Sequence, residues 1–317
     1  MMCLAHQSPA QKSRQSEKPV LSRVTTTCWR WSVCVTCLFA LVSFAAGQDQ
    51  TSEKDARTAK QKERTEKLLK WTREFVKETR VAVRGDGREQ LGELKAEPVM
   101  RYSDEPRFIS DATLWVWSVN SRPVAIQKVE VNDLVAVPLW TICFGSFAET
   151  NVEVKWSSGH TFQSKEPGWS FEPIADAEAP AERAAARSLQ MRALSRRFAG
   201  HVVPVTQKSK VEMRLLPKPI YEYSDPETKL PLGAVFSLAS NGTNPTIFLA
   251  IEARRDKEGR LGWFHAHTRM TSDPGELRLD DKLIWEFREV RHENWVHFFL
   301  RRDIEFKERP PKEPQER

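Results

Sequence analysis

Apolar residues recur at helical spacing in two stretches of the chain. Leu68, Trp71 and Phe75 lie three or four residues apart within the charged stretch Ser52–Arg80, which contains no Gly or Pro. This spacing predicts a helix whose first part is solvated and whose second part packs on a core. A second amphipathic helix is predicted over Ala181–Ala199, with the glycine that follows acting as its C-cap.

Short β-type runs follow each predicted helix, separated by Asn, Asp, Ser, Gly and Pro as in antiparallel hairpins. Asn241-Gly242-Thr243 matches a glycosylation acceptor, but Asn-Gly between two such runs is also a strong hairpin signal, and we predict a hairpin turn there. In the first half the predicted strands are Val99–Tyr102, Thr113–Trp117, Val124–Val131, Trp140–Phe144, Val152–Trp156 and Trp169–Phe171. In the second half they are Val211–Leu216, Ala234–Leu238, Thr246–Ala253, Leu261–Met270, Leu277–Leu279, Lys282–Phe287 and Trp295–Phe299.

The two halves repeat one another. Pro98–Asp104 matches Pro219–Asp225 at a constant offset of 121, and both segments end in Tyr-Ser-Asp. After one inserted residue, Glu130 corresponds to Glu252. We therefore expect an α+β fold of two pseudo-symmetric repeats, each one helix followed by an antiparallel β-meander, packed about a pseudo-two-fold axis.

These patterns divide the chain into six segments. They are a signal peptide with a long n-region (1–47), a charged helical lead-in (48–66), a first helix-plus-sheet repeat (67–173), a linker (174–180), a second helix-plus-sheet repeat (181–307) and a disordered tail (308–317).

The leader predicts export. Trp31–Phe44 is almost entirely apolar, Arg23 and Arg30 precede it, and Ala45–Gly47 supplies small residues at its end. The apolar run is shorter than the roughly 20 residues that span a bilayer, which favours cleavage over a retained anchor. We expect a secreted or periplasmic protein with no membrane span after cleavage.

Charge and cysteine content point to the same leader. The chain of 317 residues has a formal net charge of +6, but without residues 1–47 it has 44 basic and 42 acidic residues, a net of +2. A nearly neutral folded part argues against a nucleic-acid partner. Of the 5 cysteines only Cys143 lies beyond the leader, so the remaining chain cannot form an internal disulfide.

Three groups of residues carry candidate chemistry. Asp104 and Asp225 could form a symmetric pair of binding or acid–base carboxylates, although an Asp after a strand commonly begins a turn. His265 and His267 alternate on one strand, and Glu252 on a neighbouring strand could complete a metal site. A lone HxH pair is nevertheless a weak metal signal.

The tryptophans of Leu114–Trp117 could stack on a sugar, but a strand that is apolar on both faces is more simply buried. Phosphate loops, nucleophile elbows and other complete catalytic motifs do not occur in the sequence. The leading hypothesis is a non-catalytic binding or structural module of the cell envelope, with no cofactor and an unidentified envelope or extracellular partner. The alternatives are a metal-assisted hydrolase that uses His265 and His267, and a carbohydrate-binding protein.

The paired motifs resemble those of a family of secreted, uncharacterised proteins from planctomycete-type bacteria with duplicated modules that contain Tyr-Ser-Asp. The residues that carry the resemblance are Arg101–Asp104, Leu114–Trp117, Arg122–Ala125, Gln190–Leu194 with Arg197 and Phe198, and Ile251–Arg255. It covers about residues 60–290. The resemblance implies export and a shared fold, and it brings no activity or catalytic residue.

Overall fold

The computed structural model describes residues 59–85, 87–133, 139–157, 159–205, 207–226, 229, 231–290 and 297–303, with only the backbone of residue 139 and of 297–303. The predicted signal peptide (1–47) and tail (308–317) lie outside these residues. Both predicted repeats fall within one compact unit, Gln61–Arg317. Among the described residues no helix is both long and apolar enough to span a bilayer.

Two α-helices are described. Helix α1 occupies residues 59–77 and packs its apolar face, with Leu68 and Val76 buried, against one hydrophobic cluster. The helix predicted to reach Arg80 ends earlier, because the chain from Arg80 to Gly85 pairs as a strand with two neighbours.

Helix α2 covers Ala184–Ser195 and is shorter than the predicted Ala181–Ala199. Phe198–Val202 forms a strand instead, and Gly200 pairs within it with Leu277. A Cβ atom at Gly200 would collide with the carbonyl oxygen of Glu276 on the paired strand. The glycine therefore permits a close strand contact rather than capping a helix.

Twenty strands and one short 3-10 helix (Glu105–Arg107) complete the described elements. The first ten strands are β1 Arg80–Gly85, β2 Arg88–Leu91, β3 Glu93–Leu94, β4 Met100–Asp104, β5 Ile109–Val119, β6 Arg122–Asn132, β7 Leu139–Ser146, β8 Asn151–Lys155, β9 Thr161–Gln163 and β10 Glu172–Pro173. The others are β11 Phe198–Val202, β12 Val211–Glu212, β13 Arg214–Leu215, β14 Tyr221–Ser224, β15 Pro231–Asn241, β16 Asn244–Arg255, β17 Leu261–Arg269, β18 Gly275–Leu279, β19 Lys282–Phe287 and β20 His297–Asp303.

The strands form four antiparallel sheets rather than one meander per half. The four-stranded sheets have the orders β2-β1-β8-β9 and β12-β11-β18-β19. The six-stranded sheets, which we call the β5–β7 sheet and the β15–β17 sheet, have the orders β20-β7-β6-β5-β3 and β10-β17-β16-β15-β13, with β4 on β5 and β14 on β15. Each strand of one sheet therefore has a counterpart at the same position of the other sheet of equal size, and the numbers of the two strands differ by ten.

The outermost strand of each six-stranded sheet comes from the other half of the sequence. β10 follows the first set of strands yet pairs with β17, and β20 follows the second set yet pairs with β7. The predicted strand Trp169–Phe171 is wrong, because this segment crosses between the halves without strand pairing and Trp169 stacks on Phe147 at 4.4 Å.

Three hydrophobic clusters fill the space between these layers. The middle cluster joins residues of both six-stranded sheets, including Ile126, Cys143, Phe248 and Ala266. The two outer clusters each combine the other face of one six-stranded sheet with a four-stranded sheet and a helix. The fold is mostly β with two helices, which confirms the α+β expectation in its coarser form.

Candidate functional site

Asp104 forms hydrogen bonds with both ends of a hairpin turn. It is 4% exposed, and its carboxylate accepts hydrogen bonds from Asn241 Nδ2 at 2.6 Å, Asn244 Nδ2 at 2.8 Å and Arg107 at 3.1 Å. Asn241 and Asn244 flank the turn between β15 and β16, where Gly242 has a φ of 49°. The Asn-Gly segment is therefore a hairpin turn, as its sequence predicts, and Asp104 anchors it.

Asp225 has different surroundings from Asp104, although the two residues end matched Tyr-Ser-Asp segments. Asp225 is half-buried, and its carbonyl oxygen accepts a hydrogen bond from the Lys229 amide at 2.9 Å in the turn after β14. The bonds of Asp104 reach instead across 137 and 140 residues of sequence. The two aspartates thus begin different local structures.

The tyrosines of the two Tyr-Ser-Asp segments make matching contacts. Tyr102 donates a hydrogen bond to Glu130 at 2.9 Å, and Tyr223 donates one to Glu252 at 2.8 Å, with both pairs buried. Burial, followed by the charge of the adjacent glutamate, raises the pKa of each tyrosine well above 10. Both phenols are therefore neutral donors to buried carboxylates.

A cation from the first half of the sequence reaches each glutamate. Arg122, at the turn between β5 and β6, donates to both Glu252 oxygens at 2.6 and 2.7 Å. Lys128 lies 3.1 Å from Glu130 and donates to Asn244 at 3.1 Å. This polar network links the two six-stranded sheets beside the middle cluster. Sequence reasoning found Glu130 and Glu252 as a repeated pair but missed their cationic partners.

One face of β17 carries a second group of polar side chains. We call this group the β17 row: Trp263, His265, His267 and Arg269. The pairing of β17 with β16 is regular, and Glu252 lies opposite Phe264 on the other face of the sheet. Side chains alternate between faces along a strand, so Glu252 and the two imidazoles point away from each other.

The predicted three-ligand metal site is thereby corrected. Glu252 is bonded to Tyr223 and Arg122 on one face of the sheet, while His265 and His267 lie on the opposite face. Among the described residues no three His, Cys, Asp or Glu side chains are grouped so that they could hold a metal ion.

Aromatic rings line the β17 row. Ring centroids lie 5.0 Å apart for Phe198 and His265, 5.9 Å for His265 and His267, 4.6 Å for His267 and Trp285, and 4.5 Å for Trp285 and Phe287. His265 is 2% exposed, whereas His267 and Trp285 are half-buried. His267 is thus the most exposed member of the row and lies between the buried His265 and the buried Arg269.

The two imidazoles are neutral at physiological pH. Burial lowers the pKa of His265 to about 4, and burial together with the charge of His265 lowers the pKa of His267 to about 4. The Nδ1 atom of each ring is buried and has no hydrogen-bond partner within the described part of the chain. Buried polar atoms are usually bonded. Ser237 Oγ, Trp263 Nε1 and Thr268 Oγ1 also lack a partner within the described residues, but the imidazoles are the adjacent pair among these groups that can both donate and accept.

Arg269 extends the row, and sequence reasoning missed it. It is 4% exposed, its guanidinium lies 5.3 Å from the Phe287 ring, and it donates to the carbonyl oxygen of Arg288. Burial lowers its pKa to about 10, which leaves it charged at neutral pH. No carboxylate of the described residues forms a salt bridge with it. The available signal was its place two residues after His267.

The β5–β7 sheet has an apolar row in the same place. Glu252 pairs opposite Phe264, and Glu130 pairs opposite Thr141, so these two positions correspond. His265 and His267 therefore correspond to Ile142 and Phe144, which are both fully buried. The position that corresponds to Arg269 holds Ser146. The two sheets therefore differ in polarity where they are otherwise alike in strand order.

Trp115 and Trp117, the sequence-based candidates for sugar stacking, are buried. Trp115 donates its indole N–H to Thr113 at 3.0 Å. Neither ring can therefore present a face to a sugar. No family model, curated protein or solved structure matches the chain.

Proposed function

We propose that the protein is an exported, non-catalytic binding module of the cell envelope, built by internal duplication, whose second half carries the ligand site. Export rests on the leader within residues 1–47, whose apolar segment Trp31–Phe44 follows Arg23 and Arg30. The resemblance to secreted planctomycete-type proteins agrees with it. The partner or ligand source is then periplasmic or extracellular.

The duplication is supported by three independent correspondences. The sheets repeat their strand orders, each six-stranded sheet receives its last strand from the other half of the sequence, and the Tyr–Glu pairs recur. The finer proposal is two pseudo-symmetric repeats related by a two-fold axis, each with one helix at its start. Reciprocal exchange of edge strands is what such symmetry produces.

The polar network between the sheets has a structural role in this proposal. Asp104, Glu130 and Glu252 each accept hydrogen bonds from two or more neighbours or pair with a cation. Carboxylates held in this way keep two hairpins in register, since a buried charge is tolerated when it is paired and hydrogen-bonded.

The single observation that carries the binding proposal is the contrast between β17 and β7. A core position that holds Ile or Phe in one sheet holds His in the other, and the imidazole Nδ1 atoms have no partner in the described chain. Unpartnered buried polar groups lower stability by about 1–3 kcal/mol each. Residues that conflict with their environment, such as polar side chains at core positions, concentrate at functional sites.

A thermal-shift screen of small molecules tests the proposal. The purified protein is compared with the double variant His265→Ile/His267→Phe, which installs the β7 residues. We expect at least one ligand class to raise the Tm of the protein but not of the variant. If every hit shifts both proteins equally, or if hits are turned over as substrates, the proposed binding function is wrong.

A further inference from the structure

Arg269 is the least compensated charge of the β17 row. Its guanidinium is buried against Phe287, and its hydrogen bond goes to a neutral carbonyl oxygen, that of Arg288. Arg122 pairs with Glu252 and Lys128 with Glu130, whereas the buried Arg187 resembles Arg269 in donating to carbonyl oxygens, those of Ala181 and Pro231. A buried charge without an opposite charge is costly, so an anion at Arg269 would be strongly favoured.

The neighbouring imidazoles provide further donors. Because His265 and His267 are neutral at physiological pH, each ring carries one N–H donor and one acceptor nitrogen. Neutral imidazoles beside a cation suit an oxyanion, which accepts hydrogen bonds. They suit a metal ion less well, because Arg269 repels a cation and Glu252 lies on the other face; the carboxylate opposite His265, that of Glu172 on β10, is exposed.

The edge of β17 next to His267 is not paired with another strand of the described chain. β10 pairs with β17 only at His265 and Phe264, whereas β20 pairs with β7 at seven residues. From Ala266 to Arg269 no strand of the described chain covers the outer edge of β17. Ala266, Thr268 and Arg269 are themselves buried, and His267 and Trp285, which are half-buried, are the groups of the site nearest to solvent.

We infer that the β17 row binds a small aromatic carboxylate, with Arg269 pairing the carboxylate and the rings of His267 and Trp285 packing on the aromatic body. A planar guanidinium matches a carboxylate through two parallel hydrogen bonds. The row offers one fixed positive charge, which fits a monoanion better than a phosphate dianion. The ring of Trp285, 4.6 Å from that of His267, supplies a half-exposed flat apolar surface. This inference rests on the proposed binding function and specifies its ligand.

Isothermal titration with matched probes tests the inference. The probes are benzoate, benzyl alcohol as its neutral counterpart, acetate as the carboxylate without a ring, inorganic phosphate and zinc chloride. We expect benzoate to bind at least tenfold more tightly than acetate, benzyl alcohol or phosphate. Benzyl alcohol or phosphate binding as tightly as benzoate, or no benzoate binding at all, overturns the inference.

Two variants separate the charge from the fold. Arg269→Gln should weaken benzoate binding at least tenfold, with a Tm equal to or above that of the unaltered protein because an uncompensated buried charge is removed. Arg278→Gln is the control, since Arg278 lies on β18 and is paired with Glu276 at 2.6 Å, and its benzoate affinity should not change. Unchanged binding in a folded Arg269→Gln protein overturns the assignment.

The same experiment distinguishes the inference from the broader proposal. If zinc or a neutral compound binds, and the His265→Ile/His267→Phe variant loses that binding, the module still binds a ligand at the row and only the carboxylate class is wrong. If the zinc affinity of the protein exceeds its benzoate affinity, the metal alternative replaces the inference.

Discussion

Arg122 and Glu252, 130 positions apart in the sequence, form an ion pair in which Nη2 of Arg122 contacts both carboxylate oxygens of Glu252. The guanidinium of Arg122 lies at the turn between β5 and β6 and donates at 2.6 and 2.7 Å to a carboxylate on β16. The Glu252 side chain is 3% exposed, whereas that of Arg122 is 39% exposed. The pair therefore closes the solvent side of a buried carboxylate that also accepts a bond from Tyr223.

Substitution Arg122→Ala should destabilise the protein by about 2–3 kcal/mol, because it removes two charge-assisted hydrogen bonds from a buried carboxylate. The midpoint of urea unfolding measures the change. Arg260→Ala is the control: Arg260 is 76% exposed and pairs with Asp256 on the surface, so its loss should cost less than about 0.5 kcal/mol. Equal effects would show that Glu252 does not depend on Arg122.

Asp104→Ala and Asp225→Ala should differ in their effects although the sequence presents them as equivalents. Asp104→Ala leaves the half-buried Asn241 and the buried Asn244 without an acceptor at the two ends of a hairpin turn, and we expect a loss of about 3 kcal/mol. Asp225 is half-buried in a turn, so its replacement should cost less than half as much. Thermal unfolding of both variants checks this order, and a larger loss for Asp225→Ala would contradict it.

Removal of residues 297–317 should weaken the β5–β7 sheet rather than the β15–β17 sheet, although the strands of the latter are closer to β20 in the sequence. β20 pairs with β7 from Leu139 to Gly145, so its loss exposes seven residues of a sheet edge. Hydrogen exchange should rise at β7 and much less at β17. Removal of residues 304–317 alone is the control and should leave exchange at β7 unchanged. Faster exchange at β17 instead would contradict the strand exchange.

Local patterns predicted most of the strands and hairpins. Hydrophobic runs located β5, β6, β16 and β17, and the Asn-Gly segment located a hairpin that the structure confirms. The sequence could not reveal the division of each half into two sheets, because sheet membership depends on contacts between distant residues. It also missed β10 and β20 as exchanged edges, since nothing local specifies which sheet a strand joins.

The site was predictable only in part for the same reason. Alternation correctly placed His265 and His267 on one face of a strand, but the face of Glu252 depends on the register between β16 and β17. The place of Arg269 two residues after His267 puts it on the same face of the strand, but it does not show that Arg269 is buried. Arg269 became a candidate because the structure shows that it is buried and that it donates to a neutral carbonyl oxygen.

Acidification from pH 7.5 to 5.0 should destabilise the protein through the two buried imidazoles. Their pKa is lowered to about 4 in the folded state, against about 6.5 in an unfolded chain. Between these values the unfolded chain binds more protons, so stability is complete above about pH 6.5 and is lost as the pH falls towards 4. At pH 5.0 His265 alone should lower the free energy of unfolding by about 2 kcal/mol, and the half-buried His267 should lower it by less.

The variant His265→Ile/His267→Phe isolates this contribution. Arg269 on the same strand and Glu172, which lies opposite His265 on β10, both remain in the variant. Urea unfolding at pH 7.5 and 5.0 should show a loss in the unaltered protein that exceeds that of the variant by at least about 2 kcal/mol. The variant should also be more stable at pH 7.5, because apolar side chains replace buried, unpartnered imidazoles. Identical pH profiles for the two proteins would mean that the imidazoles are not buried in neutral form, and the β17 row would then be an ordinary solvated face.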